Sequence, residues 1–153
     1  MSLYEVLLFV HVLAVATWVG GGIMLHVIAE RTVASNDPAR IGALLADADV
    51  LGQRYFAPAS GIALIAGIWL VIEGSWGWTE PFVLGGLSGV ALSTIIGFGM
   101  IQPAAIKAGK ALGAAGSITA EVSTALQQVR TFSRVDTAIL AIVLFLMTTK
   151  PGT

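Results

Sequence analysis

The sequence predicts an all-α protein: a four-helix transmembrane up-and-down bundle, with an amphipathic cytoplasmic helix between helices one and two. Three observations lead there. Four apolar stretches fill the chain: Val6–Ile28, Phe56–Ile72, Phe82–Ile101 and a shorter run ending near Thr149. A hydrocarbon core about 30 Å thick needs roughly 20 apolar helical residues, and the first three stretches meet or nearly meet that length. The composition agrees: of 153 residues, 56% are hydrophobic and 11% charged, against about 25% charged in soluble domains. Finally, the cations are sorted. Arg31, Arg40, Arg54, Lys107, Lys110, Arg130 and Arg134 lie in or beside two connections, and only Lys150 lies elsewhere. Cytoplasmic loops carry the Lys and Arg excess, so both termini are expected outside the cytoplasm.

A chain this short has room for one domain, spanning 1–153. The net charge of −1 leaves no basic surface for nucleic acid. Six acids (Glu30, Asp37, Asp47, Asp49, Glu121 and Asp136) accompany the seven inner cations, so attraction to lipid headgroups is modest. There is no Cys, which removes thiolate metal sites and iron–sulfur clusters from consideration. The N-terminus does not read as a cleavable signal peptide, because Glu5 stands where a cationic region would and the apolar run is too long.

Helix one is expected from about Leu3 to Ala29. Asp37-Pro38 then reads as an N-cap followed by a first helical residue. Ile41, Leu44, Leu45, Ala48 and Leu51 recur at helical spacing with Arg40, Asp47 and Asp49 between them. This is the amphipathic stretch, lying on the inner membrane surface or capping the bundle, with an ordinary cytoplasmic helical hairpin arm as the alternative. Helix two, Phe56–Ile72, tolerates Pro58 in its first turn. Trp76 and Trp78, in the short loop after it, fit an interfacial aromatic belt. Helix three carries Gly85, Gly89, Ser93 and Gly97, one small residue at every fourth position. Such a stripe allows close helix packing, within the chain or in a homo-oligomer; a flat cofactor could also lie on it. Gln102-Pro103 is expected to end helix three, leaving 104–116 as a small-residue connection. Helix four is expected from about Ile118, capped by Ser117, to Thr149. Arg134 and Asp136 then fall near the inner membrane boundary, where charges face the bundle and pair. Glu30 or a ligand anion could partner Arg134, and Arg54 or His26 could partner Asp136.

Both histidines lie in helix one. His11, Val15, Trp18, Gly22 and His26 follow one side at three- to four-residue spacing. Gly20-Gly21-Gly22 weakens the helix by roughly 1 kcal/mol per glycine relative to Ala, so close helix contact or an inserted group should compensate. His11 and His26 are about 22 Å apart along the axis and cannot share one metal within a protomer. By depth, Met147 is a candidate partner for His11 and Met100 for His26, since haem iron accepts His/Met ligation. A single His ligand, or one His from each half of a dimer, are the alternatives. The reading without a cofactor is a hydrogen bond from His11 to a neighbouring carbonyl, Ser or Thr.

The stretches "HVLAVATWVGGGIMLHVI", "ARIGALLADADVLGQRYFAPASGIALIAGIWLV" and "SRVDTAILAIVLFLMTTKPG" resemble a family of bacterial predicted integral membrane proteins of unknown function, over nearly the whole chain. That resemblance implies four membrane helices and no particular activity. More remotely, His11 followed by Trp18 and Gly20-Gly21 resembles the first helix of the copper-resistance D domain and of HemJ-type protoporphyrinogen oxidases, which bind haem b. These resemblances imply His11 as a haem or copper ligand. The expected function is therefore a haem-b-binding membrane protein with a redox or electron-transfer role and an unidentified redox partner. A copper-handling protein is the alternative, disfavoured by four methionines and no Cys, since Cu(I) prefers soft sulfur ligands. A cofactor-free accessory subunit is the third reading.

Overall fold

A computed structural model of the chain describes residues 1–151, and all of its regular structure is helical. Four continuous rods are each long and apolar enough to cross a membrane: Leu3–Ala34, Pro38–Glu73, Pro81–Ala115 and Ala120–Thr149. The first is helix α1 and the last α6. The second joins α2 (Pro38–Leu51) to α3 (Ala57–Glu73), and the third joins α4 (Pro81–Ile96) to α5 (Gln102–Ala115). At 1.5 Å per residue even α1, with 32 residues, is about 48 Å long, well beyond the hydrocarbon core.

The joints in the two middle rods have the same construction. Each is one π-helical turn, Gly52–Phe56 and Gly97–Ile101, beginning at a glycine and ending two residues before a proline, Pro58 or Pro103. A proline inside an α-helix lacks a donor and its ring clashes with the carbonyl four residues earlier. Widening the preceding turn relieves that clash. The Ala57 N–H then reaches back to the Gly52 carbonyl and the Gln102 N–H to that of Gly97.

The segment from Pro38 is accordingly a continuation of the second rod. Likewise Pro103 does not end helix three: 104–116 is helical to Ala115 and stops at Gly116, which takes a left-handed φ of 63°. The run is rich in Ala, the strongest helix former, and that outweighs Gly109 and Gly113. Helix α6 is capped by Thr119, two residues later than Ser117, its hydroxyl accepting from the Val122 N–H at 3.3 Å. Asp37 caps α2 as expected, accepting from Ala39 at 2.9 Å and Arg40 at 3.3 Å.

Two kinds of packing hold the rods. Near the 35–37 and 116–119 connections, a core of Ile41, Ala108, Leu112, Val122, Ala125 and Leu126 is flanked by Val33, Leu45, Ala111 and Ile118. Here burial of apolar side chains is the driving force. Along the rest of the rods large apolar residues such as Phe9, Met24, Ile65, Ile95 and Phe145 are exposed, as lipid-facing surface requires, and the buried positions mix small residues (Ala14, Ala59, Ala63 and Ala66) with larger ones (Val19, Leu70, Phe82, Val83, Ile96 and Leu140). Helix α1 packs chiefly on α3, and α6 on α4 and α5, while α3 and α4 barely touch.

The small-residue stripe is split in function. Gly85 faces Leu146, Gly86 the Met147 methyl and Gly89 the Val143 side chain, so these glycines let α6 approach α4 within the chain. They are not a free face for a second copy. At the same end of the molecule Trp76 stacks edge-on to Phe82 at 5.3 Å, with the Lys150 ammonium 4.6 Å from the Trp76 centroid. We call this the aromatic end and the opposite one the charged end.

Candidate functional site

The glycine triplet of α1 has an asymmetric role. A side chain on Gly21 would collide with the Tyr55 and Phe56 rings, which the π turn brings against α1, and the Tyr55 hydroxyl donates to the Thr17 carbonyl at 3.1 Å. Gly20 and Gly22 have open space instead. Close contact therefore accounts for one glycine of the three.

His11 lies toward the aromatic end from that contact, half-buried against α3. Its Nδ1 is 2.8 Å from the Ala63 carbonyl. A carbonyl only accepts, so Nδ1 carries a proton, and in the neutral imidazole Nε2 is then the nitrogen with the lone pair. The ring fits because residue 67 is glycine: a Cβ there would sit 3.0 Å from His11 Cε1 and 4.0 Å from Nε2. No hydrogen-bond partner faces Nε2 among the described residues.

His26 has a different setting. Its Nε2 lies 3.7 Å from Glu30 one turn on, and Glu30 is the hub of the charged end. Arg134 donates to Oε1 at 2.8 Å and Arg130 donates to Oε2. The expected Arg134–Glu30 pair is thus present. Asp136, in contrast, meets neither Arg54 nor His26. Its Oδ1 is buried with no hydrogen-bond partner among the described residues.

A cavity of about 1050 Å³ occupies the charged half between the rods. Trp18, Gly22 and His26 line it, as do Ser93, Asp136 and Arg130. His11, Met100, Arg134 and Met147 do not. Met147 packs on Gly86, and Met100 is exposed on the outer surface. The seven residues singled out from the sequence therefore separate into His11 on α3, a cavity group (Trp18, Gly22, His26), Arg134 on Glu30, and two methionines engaged elsewhere. No group of three or more His, Asp or Glu side chains placed to hold a metal ion occurs among the described residues.

Sequence reading missed the cavity and the π turns beside it. The signal was present in the repeated spacing of Gly52 to Pro58 and Gly97 to Pro103, since π turns inside helices often mark functional sites.

No family model matches the chain, and neither does any curated protein or solved structure.

Proposed function

We propose that the chain is a haem-b-binding protein of a bacterial inner membrane, with His11 as the axial ligand and a role in one-electron transfer. The observation that carries this reading is the state of the His11 imidazole. Metal-ligating histidines almost always donate their other N–H to a carbonyl or carboxylate, which fixes the ring and raises its basicity. His11 has that bond to Ala63, and the absence of a side chain at Gly67 makes room for the imidazole itself. His11 Nε2 is therefore the atom that would hold a haem iron. His26 fits less well, because its Nε2 faces the Glu30 carboxylate.

A bound haem would supply a one-electron couple within the membrane. The chain's own contribution is to hold the imidazole tautomer and to orient the ring through the Ala63 carbonyl. Arg130 and Arg134 take no part in holding a haem at His11. They are held by Glu30, which is 19 residues from His11, about 28 Å along the helix.

The rods are read as an up-and-down bundle with the charged end in the cytoplasm, supported by the grouping of seven cations at two connections. An alkaline-phosphatase fusion after Thr153 should be active and one at Asn36 inactive; the reverse result would invert the orientation.

The cofactor is tested by visible spectra of detergent-purified protein, expressed with haem available, oxidised and then dithionite-reduced. A Soret band with sharpening α and β bands is expected, lost in His11→Ala and kept in His26→Ala. A featureless spectrum from folded protein would overturn the proposal.

A further inference from the structure

The cavity of the charged half is walled in an unusual way. Gly22, Gly97, Gly109 and Gly113 all line it, and a Cβ at any of them would meet nothing within 4 Å. Each glycine weakens a helix by roughly 1 kcal/mol relative to Ala. At Gly85, Gly86 and Gly89 close approach of α6 accounts for that cost. At these four cavity glycines no side chain or neighbouring helix lies that close, so a larger residue there would extend into open space.

Asp37, Asp49, Lys110, Arg130 and Asp136 line this hollow, together with His26. Arg130 and His26, with Arg134 outside the lining, turn to Glu30, and the Arg130 Nε is buried without a hydrogen-bond partner among the described residues. Among the described residues Asp136 has no ion pair, and its Oδ1 is buried without a hydrogen-bond partner; Ser93 lines the same cavity. The cavity wall around it is mostly apolar: Leu140, Ile101 and Phe98 belong to it. A carboxylate in such a place must find a cation or take up a proton.

A metal ion is poorly served, since Ca²⁺ or Mg²⁺ requires about six oxygens or more and Asp136 and Ser93 supply few. We infer that the cavity is a binding site for an amphiphilic organic cation, its hydrophobic body on the apolar wall and its cationic head on Asp136. This site is separate from His11 and does not depend on haem.

The test uses the detergent-purified full chain with tetraphenylphosphonium as probe and neutral triphenylphosphine oxide as its uncharged counterpart, measured by equilibrium dialysis. Tetraphenylphosphonium should bind saturably and more tightly than the oxide. Asp136→Asn should weaken it roughly tenfold or more, the scale of about 1.4 kcal/mol, and Asp136→Glu should retain it. Gly97→Leu should block binding through volume alone, because residue 97 has helical φ of −61° and open space. It serves as the independent variant should Asp136→Asn fail to fold. Absence of saturable binding, equal binding of the neutral oxide, or unchanged binding in Asp136→Asn or Gly97→Leu would overturn the inference and leave a protonated Asp136 in a lipid-filled hollow.

Discussion

The same substitution, Gly→Ala, should have opposite effects at two positions eight residues apart on one rod. At Gly89 the added Cβ would fall within the Val143 side chain, with Val143 Cβ itself 3.4 Å away. Valine is branched at Cβ and nearly fixed at χ1 in a helix, so it cannot swing aside; α4 and α6 must separate. Overpacking of this kind costs typically about 1–3 kcal/mol, and Ala recovers about 0.8–1 kcal/mol of helix propensity over Gly. Gly89→Ala should therefore destabilise by up to about 2 kcal/mol. At Gly97 the Cβ enters empty space, only the propensity gain remains, and Gly97→Ala should stabilise by about 1 kcal/mol. Reversible unfolding of the purified protein, moving from mild detergent into dodecyl sulfate and followed by circular dichroism, reads both. The reasoning fails if the two variants shift the midpoint in the same direction. That outcome would mean the two halves of the stripe do the same job.

Three further outcomes can be read in the same unfolding experiment. Glu30→Gln leaves Arg130 and Arg134 without their shared carboxylate; with charged hydrogen bonds at about 1.5–3 kcal/mol discounted for solvent screening of partly exposed side chains, a loss of about 1–2 kcal/mol is expected. Arg130→Gln in the same background should then add little, since the pair is already broken. Tyr55→Phe removes only the hydroxyl that donates to Thr17 and should cost about 0.5–1.5 kcal/mol, with ring packing on Gly21 retained. Asp37→Ala removes the cap accepting from Ala39 and Arg40, a loss of about 1 kcal/mol, which Asp37→Ser should largely restore.

Features set by local chemistry were legible in the sequence. Asp37-Pro38 marks a helix start because a carboxylate accepts the free amide donors and proline sacrifices none. The Glu30–Arg134 pair could be anticipated because a charge near a membrane boundary needs a partner and few were available. Helix rotation was not legible. A helix apolar on all sides has no periodic stripe to show which face turns inward, so the sequence could place His11 and His26 on one side of α1 without showing that they meet different surroundings. His11 meets an α3 carbonyl, while His26 meets a carboxylate at a cavity.

The continuity of the middle rods was hidden for a related reason, and it connects the fold to the cavity. A proline after an apolar run usually marks a helix end, and that expectation fails at Pro103 because a π turn accommodates it. Such a turn holds one residue more than an α turn, so it advances the helical face by about 100°. On the second rod, the face bearing Ile41 can thus enter the core at the charged end while the face bearing Ala59, Ala63 and Ala66 stays buried against the other rods. Both π turns border the cavity, through Gly52 and Phe56 on one side and Gly97, Phe98 and Ile101 on the other. The hollow therefore lies where two helices change register. Straightening either joint, by replacing Pro58 or Pro103 with Ala, removes the reason for the turn and should reduce the cavity before it reduces the helix.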